Sequence, residues 1–460
     1  MTGAQRSEPP PPALSRIAGP DVPWPSPGAS AYVMFVLTIA SMNSYIDRII
    51  LSLMITPIKQ TFDISDTQVG LLQGVAFGLF YTIAALPMGR LVDYADRRLI
   101  ISLGTAFFST CTVLCGMAQT YWQLFLARVG VGAGEASLNP AAYSMLADCY
   151  PQERLARALG VFTMGAFVGI GGAFILGGAV VQWALTTGPI ALPGLGTVQP
   201  WQIAFLIVGL PGFIIAMWVA TLREPLRRGV TLNAAGALKP PPLSAVGERI
   251  WANKALYLPM FAGFCMITLN GYAGTSWTPE FFKRTFDWSA GQVGFWYGLI
   301  GVLIASVAGA FVGGLVADQV GKKHKDAPLR VAALAMLLSW LPSSVATLMS
   351  DPWTALAILA VAQFFTTFTF PLAAAAIQLS TPNQFRGQMS ALYLFTINLC
   401  GLGLGPLVVG VMNDAIFPGG DGVRYSLAWV NGVTAPLAFL FLWMALKPYR
   451  EARLRYEGGG

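Results

Sequence analysis

Runs of about twenty apolar residues, separated by short polar turns, recur along the chain from Ala31 to Leu446. Each run is long enough to cross the roughly 30 Å hydrocarbon layer of a bilayer as a helix. Twelve candidate spans begin near residues 31, 67, 99, 121, 155, 201, 253, 290, 329, 353, 384 and 425. Composition points the same way: 55% of the residues are hydrophobic and 11% charged, whereas about a quarter of an average soluble domain is charged. A water-soluble surface cannot be built from so little charge. The fold class expected is an all-α membrane protein of twelve transmembrane helices.

An even number of spans returns both termini to one side, and the basic residues indicate which. Short loops rich in Lys and Arg stay in the cytoplasm. Of the 28 basic residues, only Lys59, Lys283, Arg284 and Arg424 fall on the side opposite the termini. Arg97, Arg98, Arg154, Arg157, Arg227, Arg228, Lys322, Lys323 and Arg450 share the termini side. Both ends are therefore expected in the cytoplasm of a plasma (bacterial inner) membrane. The net charge of +7 follows from this topology. Nucleic-acid binding would need a basic face on one folded surface, and here the charges are spread over loops.

Residues 1–30, rich in proline, read as a disordered cytoplasmic tail with neither the basic start nor the apolar core of a signal peptide. A polar linker at 223–252, carrying Pro240, Pro241 and Pro242, divides a six-helix bundle at 31–222 from another at 253–447, and a cytoplasmic tail fills 448–460. The five cysteines, Cys111, Cys115, Cys149, Cys265 and Cys400, lie in or at the ends of spans and read as small buried hydrophobes. No metal site is expected, since the single histidine, His324, sits in a loop.

An internal repeat supports the division into halves. The second span opens on Gln68-Val69-Gly70 and closes on Gly89, Asp93, Asp96-Arg97-Arg98. The eighth opens on Gln292-Val293-Gly294 and closes on Gly314, Asp318, Gly321-Lys322-Lys323. The offset is 224 residues at the start and 225 at the end, which is what a six-helix duplication leaves behind. The loop pattern Gly-x-x-x-Asp followed by basic residues resembles the signature of the major facilitator superfamily, with Asp96 where that family commonly has glycine. The resemblance implies the major facilitator fold of two pseudo-symmetric six-helix halves, and a cytoplasmic gate in which Asp93, Arg97 and Asp318 latch the halves. The glycines of the fifth span (Gly165, Gly169, Gly171, Gly172) and of the eleventh (Gly401, Gly403, Gly405) allow close helix packing or bending.

Ionisable residues in mid-span cost about 2.5–3.5 kcal/mol on insertion scales, so each calls for a partner or a function. Asp47 and Arg48 in the first span, with Arg128 and Glu135 in the fourth, are read as the buried charges, all in the first half. At 1.5 Å rise per residue, Asp47 and Arg128 lie about 12 and 10 Å from the same ends of their helices, a depth match that favours an Asp47–Arg128 ion pair. Arg128 and Glu135, seven residues apart, share a helix face. An acid in low dielectric favours its neutral form and a neighbouring arginine favours the charged one, so breaking such a pair lets the acid take up a proton. A substrate anion competing for Arg128 would free Asp47 or Glu135 to do so. The second half offers Asn270, Trp277, Gln363, Thr366 and Thr367 instead, and Ser276-Trp277-Thr278-Pro279 suggests a broken helix near an outer gate.

The segments Asn43-Ser44-Tyr45-Ile46-Asp47-Arg48 and Arg128-Val129-Gly130-Val131-Gly132-Ala133-Gly134-Glu135-Ala136-Ser137, with Phe62, Ser65-Asp66, Pro140, Asp148 and Arg154, are similar to the Spinster branch of that superfamily. This resemblance implies a proton-coupled carrier of an amphipathic anionic lipid, a lysophospholipid or one like sphingosine-1-phosphate. It implies proton coupling at Asp47 and Glu135, and a headgroup site of Arg128, Arg48, Asn43 and Tyr45. Protons and the lipid are the expected partners, with no cofactor and a monomeric state. A carrier of a small organic anion or drug is the alternative within the class, and a transport-inactive sensor or scaffold is the alternative outside it. Enzymatic chemistry and ATP-driven transport are not expected, because no Ser/His/Asp set or phosphate-cradling Gly-x-x-x-x-Gly-Lys loop occurs.

Overall fold

The computed structural model describes residues 22–192, 196–228, 243–382 and 385–457. Eleven helices in it are long and apolar enough to cross a membrane. They are span 1 Pro27–Leu53, span 2 Asp66–Val92, span 3 Arg97–Met117, span 5 Ala158–Thr187, span 6 Pro200–Ala220, span 7 Lys254–Phe286, span 8 Ala290–Gly321, span 9 Ala327–Ala346, span 10 Pro352–Ser380, span 11 Gln388–Ala415 and span 12 Gly422–Leu454. Span 4 is built in two pieces, Tyr121–Glu135 and Leu138–Cys149, each too short to cross alone.

The break in span 4 has a local cause. Pro140 has no N–H to give, and its ring crowds the carbonyl four residues back, at Ala136. The turn falls there, and the Ser137 hydroxyl donates to the Gly134 carbonyl at 2.8 Å. Span 10 repeats the device: a turn at Phe368 precedes Pro371. Span 7, expected to break at Pro279, is instead one helix with Pro259 and Pro279 inside it.

Packing reproduces the sequence repeat. Span 1 lies on span 5 as span 7 lies on span 11, span 3 on span 6 as span 9 on span 12, and span 3 on span 4 as span 9 on span 10. Across the halves, span 5 meets span 8 and span 11 meets span 2. π-helical segments occur in both duplicated spans, at Leu71–Leu79 of span 2 and Val293–Ile304 of span 8, with a third at Leu399–Leu404 of span 11. All three line the seams between halves.

Several expected boundaries shift. Span 1 begins at Pro27, inside the stretch expected to be tail, and the linker contains a helix, Leu243–Ala252. The last helix runs on to Glu457 through Pro448. Residues 1–21, 229–242 and 458–460, which hold most of the expected N-terminal tail and about half of the expected linker, lie outside the described residues. All five cysteines are free thiols. The end of the bundle at which span 1 begins and the last helix finishes is the termini end, and the opposite one the far end.

Candidate functional site

Glu135 closes the first piece of span 4, where the break turns the chain, and its side chain is wholly buried. Two groups from span 1, one turn apart, hold the same carboxylate oxygen: the Ser44 hydroxyl donates at 2.6 Å and Arg48 Nη2 at 2.8 Å. Arg48 is in turn ringed by aromatic faces, with its guanidinium carbon 4.8 Å from the Phe77 centroid, 5.2 Å from Tyr45 and 5.3 Å from Tyr81. Phe77 also takes Arg128 at 5.2 Å. One ring thus faces two guanidiniums, each such contact being worth about 0.5–2 kcal/mol.

The Asp47–Arg128 ion pair expected from depth is not formed. Arg128 Nη1 donates to the main-chain carbonyl of Asp47 at 3.2 Å, and both Asp47 carboxylate oxygens lack a hydrogen-bond partner among the described residues. Glu135 pairs with Arg48, not with its own helix neighbour Arg128. The reason is rotational: successive residues on a helix project about 100° apart, so Asp47 and Arg48 face different spaces. Asp47 and Arg128 are 0% and 1% exposed inside the first half. Asn43 is buried there too, with its amide nitrogen unpartnered.

Arg48 and Tyr45 face a central cavity between the halves. Its volume of about 150 Å³ is roughly ten times what one water needs. Tyr272, Thr275 and Gln363 close it from the second half. Of the four mid-span charges, Arg48 is the one that lines this cavity, with its side chain 14% exposed. Arg48 thus stands at the cavity surface, with its partner Glu135 behind it.

The far end is tied shut across the halves. Asp66, at the start of span 2, accepts from Arg284 of span 7 at 2.7 and 3.0 Å and from Asn413 of span 11 at 2.8 Å, and also pairs with Lys59. Asp414 accepts from the backbone N–H groups of Thr67 at 2.7 Å and Asp66 at 3.2 Å. Glu280, fully buried, binds Arg284 at 2.9 Å, Lys283 at 3.1 Å and the Thr56 hydroxyl. The second half thus does hold a buried acid, contrary to the sequence expectation.

At the termini end, Arg97 is buried among partners of its own half and the start of the linker. It pairs with Asp148 and, at 2.7 Å, with Glu224, and donates to the carbonyls of Ser144 and Pro225. In this conformation it does not bridge the halves. Asp318 is exposed and makes no ion pair among the described residues, and the Asp93 side chain lies outside them. The duplicated loop instead anchors its half through Asp326, which binds Arg330 at 3.0 Å and Arg450 at 3.8 Å.

A family model, described as Major Facilitator Superfamily, matches residues 37–399. The chain belongs to that superfamily. It is a multi-pass membrane transporter and not an enzyme. An MFS-type efflux pump of Mycolicibacterium smegmatis is 28% identical over 94% of this chain and 95% of its own length. Human protein spinster homolog 1 is 29% identical over 56% of this chain and 47% of its own length. Among solved structures, a bacterial homolog of the human lysosomal transporter Spinster, inward-facing and unoccupied, superposes with a TM-score of 0.76 at 24% identity, covering 94% of this chain and 99% of that one. The Spinster resemblance in the sequence motifs thus recurs in both comparisons.

In this major facilitator carrier the residues that the sequence reading missed are informative. Ser44 and Phe77 carry no charge to flag them, and only the three-dimensional meeting of spans 1, 2 and 4 exposes their part. Glu280 was legible: an acid three and four residues before Lys283 and Arg284 is ordinary helix pairing. Asp66 stood in the family-like motif with no partner to suggest its bridge to Arg284.

Proposed function

We propose that this protein is a proton-coupled secondary carrier that moves an amphipathic anionic lipid by alternating access. The observation that carries this reading is the Arg48–Glu135 pair at the wall of the central cavity. A lipid headgroup anion reaching Arg48 competes with Glu135 for the same guanidinium. Charge left on a buried carboxylate without its partner costs several kcal/mol, and a proton removes that cost. Substrate arrival and proton uptake are then linked at one residue. Asp47, sealed in the same half with unpartnered oxygens, is the second proton-carrying acid of the proposal, and Arg128, beside its main chain, holds the local field that its charge state alters. Asn43 and Tyr45 complete the headgroup side. Asp93, Arg97 and Asp318 serve as the latch in the opposite conformation, when the far end opens.

The membrane is the plasma (inner) membrane, the termini end is cytoplasmic on the distribution of Lys and Arg, and the carrier works as a monomer. The likeness to the mycobacterial efflux pump favours a second reading, a drug or small organic anion as cargo. Proteoliposomes decide between them. Lysophosphatidylglycerol of increasing chain length should compete with increasing strength for uptake, and short-chain analogues should not compete. Equal competition by short-chain anions would remove the lipid.

A further inference from the structure

Gln73 stands on span 2 within the π-helical segment Leu71–Leu79 and lines the same cavity wall as Arg48. It is 8% exposed, and its side chain makes no hydrogen bond among the described residues, with Nε2 explicitly unpartnered. Five other polar groups on the wall are satisfied. Gln363 donates to the Ser306 hydroxyl at 3.0 Å, and Ser52, Thr268, Thr275 and Thr366 donate to main-chain carbonyls. A buried amide left without partners forfeits about 1–3 kcal/mol, so its persistence asks for a ligand. The terminal torsion of glutamine is soft and roughly two-fold, so no bond in the wall resists turning the NH₂ group into the cavity. Arg48 also reaches this wall, with Nη2 engaged by Glu135, Nε buried without a partner and 14% of its side chain exposed.

We infer that Gln73 is a substrate-contacting, specificity-determining residue, forming with Arg48 a two-point donor subsite for one oxyanion, a phosphate or carboxylate. This rests on the reading of an anionic cargo given above. Arg48 supplies charge, and Gln73 supplies a neutral donor from another helix, which fixes the anion between spans 1 and 2. Its position also ties occupancy to closure. The next residue, Gly74, meets the Gly403 carbonyl of span 11 so closely that an added Cβ would lie 2.3 Å from that oxygen. An anion held by Gln73 is therefore one residue from the seam that seals the far end.

The test is calorimetric titration of the full-length purified protein with dodecyl phosphate, inorganic phosphate and the neutral detergent dodecyl maltoside. Losing one hydrogen bond to a charged ligand should weaken dodecyl phosphate roughly tenfold or more in Gln73→Leu, with dodecyl maltoside unchanged. Gln73→Glu, of the same shape, should abolish the phosphate response and keep the neutral one, which guards against a merely misfolded variant. Inorganic phosphate binding far more weakly than dodecyl phosphate is expected for a lipid headgroup, and equal affinity would overturn that form of the subsite. Unchanged dodecyl phosphate affinity in both Gln73 variants, with loss in Arg48→Gln, would overturn the role of Gln73 alone. Unchanged affinity in Arg48→Gln as well would overturn the anionic cargo itself.

Discussion

Ser44 and Arg48 sit one turn apart on span 1 and converge on a single oxygen of Glu135, whose other oxygen has no partner among the described residues. A carboxylate held this way depends on each donor. Ser44→Ala removes one of two bonds and leaves a methyl group, which cannot donate, facing the carboxylate. A loss of about 1–3 kcal/mol is expected, read as a lower melting temperature of the purified protein, and no loss would mean that the hydroxyl is idle. A second residue-scale case lies outside the spans. Burial pushes the Asp326 carboxyl up, but the Arg330 guanidinium at 3.0 Å, with Arg450, overrides it and holds Asp326 below the usual aspartate range. Because the folded value lies below the unfolded one, the contribution is complete above the ordinary range near about pH 4 and is lost as pH falls through the folded value. The gap in melting temperature between wild type and Asp326→Asn should be constant above about pH 5 and close towards acid. A gap that widened on acidification would contradict the pairing.

At the scale of elements, glycine decides how the halves meet. A Cβ on Gly74 would lie 2.3 Å from the Gly403 carbonyl, and one on Gly178 would lie 2.8 Å from the Gly294 Cα. These two contacts are the span 2–11 and span 5–8 seams, related by the repeat. Overpacking of this kind costs about 1–3 kcal/mol, a factor of about 5 to 150 in a two-state ratio. Gly74→Ala is therefore expected to shift the carrier away from the closed far end. Spin labels at Asp63 and Asp287, exposed at the far end of opposite halves, should report a longer distance in the variant, and an unchanged distribution would show that the seam yields. The glycine spacing in spans 5 and 11 was legible in sequence, whereas its choice between packing and bending was not, because that depends on which helix lies opposite. Gly169 meets Met42 and Tyr45 of span 1, and Gly405 meets Ala273 of span 7, so at these positions the small residue serves contact.

For the whole molecule, the sequence revealed class, span number and duplication, since all three depend on one-dimensional runs and offsets. Starts near residues 121, 201, 290 and 353 lie within one residue of the observed Tyr121, Pro200, Ala290 and Pro352. The partners of the buried charges did not follow, because depth along an axis fixes height and leaves rotation free. Of the two arginines expected together at the headgroup site, Arg48 on span 1 lines the cavity, and Arg128 on span 4 lies buried in the first half. The far-end bridges from Asp66 and Asp414 to Arg284, Asn413 and Thr67 join the two halves at one end of the bundle.

The central claim, that Glu135 links cargo to protons through Arg48, is tested most directly by lysophosphatidylglycerol flux into proteoliposomes under an imposed pH gradient, with internal pH followed at the same time. Wild type should speed up with the gradient and move protons with the lipid. Glu135→Gln should still exchange lipid across equal pH but ignore the gradient and leave internal pH unchanged. A Glu135→Gln carrier that responded to the gradient like wild type would contradict the account.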